Sequence, residues 1–184
     1  MQLSDEIRIE ASREQVYAAL NDPEILKKSI PGCEKIERIS ETELTATVVT
    51  KIGPIKAKFK GQVTLSDLNP PVSYTISGEG AGGSAGFAKG SAKVSLEEDG
   101  GATVLHYEVQ ADVGGKLAQL GGRLIEGTTK KLAGEFFNSF REGVAGPAPA
   151  IAPAATPATA TINPLFLIAG GVIVLVALYF LIGS

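Results

Sequence analysis

The chain has 184 residues, a formal net charge of −3, 44% hydrophobic side chains, one cysteine, one histidine and no tryptophan. A mildly acidic chain without Trp does not suit nucleic acid as its main partner. The lone Cys33 excludes an intramolecular disulfide framework and fits a reducing compartment, and one histidine leaves no metal-ligand spacing.

Residues 1 to about 143 suit one domain by length. Ile7 and Ile9 alternate with Arg8 and Glu10, as in a short strand. Ser12-x-x-Gln15 is a capping box that opens a helix with Val16, Ala19 and Leu20 on one face. Asp22-Pro23 starts a second short helix carrying Ile25, Leu26 and Ile30, stopped by Pro31-Gly32.

The period then changes to two. Leu44, Ala46, Val48, Thr50 and Ile52 alternate with more polar neighbours, and Gly53-Pro54 turns the chain. Ile55, Ala57, Phe59, Gly61, Val63 and Leu65 alternate with Lys56, Lys58, Lys60, Gln62 and Thr64, the pattern of an antiparallel strand buried on one side. Asn69-Pro70-Pro71 turns again before the inward set Val72, Tyr74 and Ile76. Ala92, Val94 and Leu96 follow, Asp99-Gly100 signals a hairpin, and Leu105, Tyr107, Val109, Ala111 and Val113 complete the last strand.

From Gly115 the spacing predicts one long helix, with Leu117, Leu120, Leu124, Thr128, Leu132, Phe136 and Phe140 three or four apart. The glycines in and before it (Gly114, Gly115, Gly121, Gly122, Gly127, Gly134) fit either a helix that lies close to something or moves, or a frayed, shorter one. The expected class is α+β. About seven antiparallel strands curve around a long C-terminal helix, with two short helices after the first strand. This helix-grip arrangement often encloses a cavity.

Beyond Glu142 no residue is charged. Residues 144–163 are rich in Pro and Ala and predict a linker that could extend up to ~3.1 Å per residue, on the order of 50 Å. Residues 164–184 predict a membrane anchor. Asn163 and Pro164 suit a helix start, and the apolar run from Leu165 to Ile182 spans about 27 Å as a helix, near the ~30 Å core of a bilayer. Leu165, Phe166, Val172, Leu175, Tyr179 and Ile182 belong to it, with Tyr179 where an interfacial aromatic would sit. A buried core helix is the competing reading, although such a helix usually keeps a polar stripe. Arg141, Lys131 and Lys130 precede the run and no cation follows it, so the expected location of the domain is the cytoplasmic face of the cell membrane. The Met1–Glu6 start has no signal-peptide character.

No catalytic constellation is legible in the sequence. Gly78-Glu79-Gly80-Ala81-Gly82-Gly83 matches a dinucleotide-binding pattern, but it joins strand to strand and no helix N-terminus follows. It reads instead as a mobile hairpin tip presenting Phe87 at the mouth of the sheet. By strand parity His106 faces outward with Glu108 and Gln110. Cys33 has no inferable base beside it. Lys51, Lys56, Lys58 and Lys60 form an outward stripe that could meet anionic lipid or an acidic partner, or could simply be a solvated face.

Four segments together resemble the CoxG family, named for a subunit of carbon monoxide dehydrogenase and part of the START/SRPBCC helix-grip superfamily. They are Asn21-Asp22-Pro23 with Ile30-Pro31-Gly32-Cys33, Gly53-Pro54-Ile55-x-Ala57-x-Phe59-x-Gly61, Gly82-Gly83-x-x-Gly86-Phe87-Ala88-x-Gly90, and Val113-Gly114-Gly115-Lys116-Leu117-Ala118-Gln119-Leu120-Gly121. The resemblance implies a non-catalytic partner of cytoplasmic molybdenum hydroxylases, above all carbon monoxide dehydrogenase, or of another oxidoreductase. It also implies a hydrophobic cavity suited to a quinone or lipid held without covalent attachment. It supplies no catalytic residue. Combined with the strand parities, it makes Phe59, Tyr74, Ile76, Tyr107, Leu117, Leu120 and Leu124 the expected cavity lining, with Ile30 and Phe87 near the mouth. The expected function is a tethered carrier of a quinone such as menaquinone. The alternatives are a docking anchor with a filled core and, more remotely, a helix-grip cyclase or hydrolase.

Overall fold

The computed structural model describes residues 2–144. The expected linker and anchor lie outside them. Among the described residues no helix is long and apolar enough to cross a membrane.

Seven strands form one antiparallel sheet: β1 (Gln2–Ile9), β2 (Cys33–Arg38), β3 (Glu43–Ile52), β4 (Ile55–Asn69), β5 (Ser73–Ala81), β6 (Phe87–Asp99) and β7 (Ala102–Gly114). Their order is β1-β7-β6-β5-β4-β3-β2, a meander from β2 to β7 closed by the first strand. Between β1 and β2 lie α1 (Arg13–Ala19) and α2 (Pro23–Ser29), and the described chain ends in α3 (Gly122–Val144).

The local signals act as expected in most places. Ser12 and Gln15 form the reciprocal capping box of α1. Asp22 caps α2, whose first residue is Pro23, by accepting from the amides of Glu24 and Ile25. β3 and β4 pair from Glu43↔Thr64 to Ile52↔Ile55 around the Gly53-Pro54 turn. The inward residues of β3 to β7 are mostly buried, and their outward neighbours are mostly exposed.

Three expectations change. β2 has no apolar alternation and shows no strand signal beyond its entrance at Cys33. It is a charged edge strand, and Lys35 pairs with Glu37 on it at 2.8 Å. The expected mobile tip is mostly paired strand, with register Gly78↔Gly90 to Ala81↔Phe87, and only Gly82–Gly86 turns. The long helix begins at Gly122 rather than Gly115. Gly115 and Gly121 both take φ of +82°, a left-handed backbone that a helix cannot contain, and a short 3₁₀ turn at Ala118–Leu120 lies between them.

The helix face shifts with it. The buried stripe is Ile125, Thr129, Leu132, Ala133, Phe136, Phe137 and Phe140. Leu124 and Thr128 lie one residue off this stripe. Helix glycines Gly122, Gly127 and Gly134 face open space, since a Cβ at any of them would meet nothing within 4 Å. No close approach within the described residues therefore requires these three glycines.

Strand direction gives the molecule two ends. The β3–β4 turn, the β5–β6 turn and the β7–α3 connection share one end, here called the rim. The β4–β5 and β6–β7 turns share the other. Here α1 and α2 cover the sheet, the Thr103 hydroxyl donates to the Ala11 carbonyl at 2.7 Å, and Ile25 meets Gly143 near the end of α3. The core between sheet and α3 is one continuous cluster.

Candidate functional site

Glycine and alanine shape the inner face of the sheet. Register places Ala46, Gly61, Gly80 and Ala88 in one row, and Gly78, Gly90 and Ala111 in the next. Large side chains are absent from this patch because the strands close on one another. A Cβ at Gly78 would sit 2.8 Å from the Gln62 carbonyl oxygen, and one at Gly90 would sit 2.2 Å from that of Gln110. The sheet thus bends sharply here, and its concave floor near the rim is formed by small residues.

The rim is fastened by backbone contact. Gly86, at φ +121°, leaves no room for a Cβ, which would lie 2.0 Å from the Gly114 carbonyl oxygen. The Leu117 amide donates to the Ala85 carbonyl at 3.0 Å, which brings Leu117 inward to 1% exposure. Phe59 lies beneath Gly82 and is buried. Leu124 stands over Gly53 at the β3–β4 turn and is 42% exposed.

Toward the covered end the floor turns aromatic. Tyr74 and Tyr107 both register opposite Val94 and share its row. Tyr107 stacks on Phe137 with centroids 5.7 Å apart, Phe136 meets Phe137 edge-on at 4.9 Å, and Phe136 stacks on Phe140 at 5.5 Å. Tyr17 of α1 meets Tyr74 edge to face at 5.7 Å. Burial pushes the Tyr17 phenol up and the Tyr74 phenol well up, the latter helped by Tyr17. Burial, with the Asp5 charge adding to it, raises Tyr107 to about 12. The Tyr17 and Tyr74 hydroxyls are buried without a hydrogen-bond partner. Such a group typically costs about 1–3 kcal/mol.

Of the expected lining, Phe59, Tyr74, Ile76, Tyr107 and Leu117 share the interior, and Leu120 packs partly against it. Ile30 is buried at the α2–β2 junction, where β2 enters opposite Val48 and Val49, the part of β3 nearer the rim. Phe87 is at the rim end but on the outer face, resting over Gly114 and 51% exposed. Of the three expected leucines at the rim end, Leu117, Leu120 and Leu124, only Leu124 is exposed. Tyr17 is an interior residue that the stripe Val16, Ala19 and Leu20 leaves out. Its position three residues before Leu20 is the signal that could have found it.

The outer face differs in chemistry. Hollows of about 1060, 680 and 800 Å³ open along it. Thr64, Lys89 and Asp112 line the first, which suits water or polar groups, whereas the other two mix polar side chains with apolar wall beside Val94 and Phe87. His106 is outward, with Glu6 at 3.4 Å and Glu97 at 3.7 Å. Lys58 pairs with Glu34 at 2.7 Å within the lysine stripe. The half-buried Cys33 thiol is held above its usual value by burial and lies 3.6 Å from the Lys35 carbonyl oxygen. No group of three metal-ligating side chains occurs among the described residues.

Comparison with known proteins agrees with this geometry. The family model for the carbon monoxide dehydrogenase subunit CoxG matches residues 6–145. A conserved protein from Geobacillus kaustophilus of solved structure is 32% identical, with a TM-score of 0.74 over 79% of this chain and 95% of its own. Two more distant structures share the fold. A Rhizobium leguminosarum protein is 14% identical at TM-score 0.61, over 78% of this chain and 93% of its own. A Mycobacterium smegmatis protein is 14% identical at TM-score 0.57, over 81% and 93%. No curated protein sequence matches. The chain belongs to the family of the carbon monoxide dehydrogenase subunit CoxG.

Proposed function

We propose that the chain is a membrane-tethered carrier. It binds a hydrophobic ligand, a prenylated quinone such as menaquinone, between sheet and α3, and serves or recruits a cytoplasmic molybdenum-containing oxidoreductase of the carbon monoxide dehydrogenase type. The family supports the partner, since its name ties it to that enzyme. The small-residue floor beneath the rim supports the ligand. It is the one stretch of the inner face where a guest could lie without displacing large side chains from the sheet.

Energetics favour exchange over storage. Burying a prenyl chain gains about 25 cal/mol per Å² of apolar area, but leaving the bilayer forfeits a similar gain. The interior residues at 0–8% exposure leave entry to the rim, where Leu124 and the segment before α3 would shift. The tether fits this traffic. The 23-residue α3 is about 35 Å long and ends at the covered end, opposite the rim. A linker reaching on the order of 50 Å is long enough to turn the rim back to the bilayer that holds the anchor. The same reach lets the rim turn toward an enzyme in the cytoplasm.

A second reading is a docking anchor without ligand transport. The continuity of the buried core, from Phe59 and Leu117 to Phe140, is the observation in its favour. Vesicles loaded with menaquinone separate the two. With the full chain inserted and the oxidoreductase added, the carrier reading predicts substrate-dependent quinone reduction that stops when the interior is blocked by Ala111→Trp, while the enzyme still binds the vesicles. Unchanged reduction with that variant would leave only the docking role.

A further inference from the structure

We infer that the Tyr17 and Tyr74 hydroxyls are the polar end of the binding space, donating hydrogen bonds to a neutral carbonyl oxygen of an otherwise apolar guest. This inference rests on the carrier reading above. Both side chains are more than nine-tenths buried, at 3% and 2% exposure, and neither hydroxyl has a partner. They come from different elements, α1 and β5, yet their rings touch edge to face. Core tyrosines normally find an acceptor for the O–H. Two unmatched hydroxyls on rings in contact point to an acceptor that arrives with a ligand.

A third donor adds to the pattern. Arg13 lies one turn before Tyr17 on α1, and its Nε is also buried and unpartnered, while Nη2 is held by Glu98 at 3.0 Å. Among the described residues these three are the buried side-chain polar atoms without a partner, and all can donate. The complementary group is therefore an acceptor. A carboxylate would bring an inward charge, and Arg13 is already committed to Glu98, so a neutral carbonyl fits better.

Position along β5 sets the orientation. From the rim at Ala81 the inward residues run Gly80, Gly78, Ile76 and then Tyr74, a path of about 23 Å. A guest whose carbonyl reaches the tyrosines lies along the small-residue floor with its apolar length toward the rim. For a prenylated quinone the ring leads and the tail trails.

The test uses the full chain in detergent micelles and equilibrium partition of three probes: menaquinone, methyl palmitate and the oxygen-free prenyl hydrocarbon squalene. Tyr17→Phe and Tyr74→Phe should each weaken menaquinone about tenfold and leave squalene unchanged. The unliganded variants should unfold at the same or higher urea concentration, because each loses an unmatched buried hydroxyl. Methyl palmitate weakened in parallel would extend the site to ester carbonyls; unaffected, it would restrict the site to the quinone ring. No loss for menaquinone, or equal loss for squalene, would overturn the inference while leaving the carrier reading standing. Lower unliganded stability would also overturn it, by showing that the hydroxyls already have a partner such as bound water. If the unaltered chain takes up none of the probes, the carrier reading fails and this inference with it.

Discussion

The two ends of the sheet are built from different materials. At the covered end α1 and α2 lie over a core of Phe136, Phe137, Phe140, Tyr74 and Tyr107, where rings meet at 4.9–5.7 Å. At the rim the inner face is glycine and alanine, the turns are fixed by close backbone contacts, and Leu124 stands half out of the structure. One end holds the fold together with apolar area. The other gives up such area for room and for a boundary that can shift.

This contrast breaks most easily at the aromatic end. Phe136→Ala should cost about 3–5 kcal/mol, read as a lower urea midpoint, because Phe136 is fully buried and touches both neighbouring rings. Leu124→Ala at the rim should change stability by less than about 0.5 kcal/mol yet alter the rate of quinone transfer between vesicles. Equal destabilisation by the two would mean that the ends are not mechanically distinct.

Alkaline pH probes the same end more gently. An ordinary tyrosine gives up its proton near 10.0, whereas Tyr107 holds it to about 12. Below pH 10 both folded and unfolded chains keep the proton, so the stabilisation is whole. Between about 10 and 12 only the unfolded chain loses it, so stability should fall as pH rises. Urea unfolding at pH 9, 10 and 11 would show the slope, and Tyr107→Phe should lessen it, leaving the part that belongs to Tyr17 and Tyr74, whose phenols burial also holds up.

The smallest expected effect is a gain. Gly127 and Gly134 lie inside α3 with open space beside them, so each change to Ala should add up to ~1 kcal/mol. If α3 flexes to admit ligand, the double variant should be more stable and slower in quinone exchange. Greater stability with unchanged exchange would place the moving part in the Gly115–Gly121 segment instead.

Sequence legibility follows the same division. β4 is readable because its apolar and lysine positions alternate strictly, and both short helices announce themselves by their caps. The rim is not. Gly115 and Gly121 interrupt what hydrophobic spacing alone reads as one helix, and that false start moves the inward stripe from Ile125 and Thr129 to Leu124 and Thr128. Phe87 suggests a mouth residue because it is large and apolar, yet its parity with Ala92, Val94 and Leu96 already puts it on the other face. β2 is silent because a register shift between Cys33 and Lys35 breaks its alternation, leaving only Cys33 and Ile36 against the core. Tyr17 is marked as inward only by its spacing to Leu20, and its partner Tyr74 on a distant strand leaves no local pattern. The small-residue floor is visible as glycines but not as a surface, because only register aligns Gly61 with Gly80 and Gly78 with Gly90.

The carrier claim is tested most directly by native mass spectrometry of the full chain extracted from its own membranes under several detergents. The account predicts the chain with one bound apolar molecule, released on activation and identified as a prenylated quinone. A chain that emerges free of quinone and lipid under every detergent would contradict it.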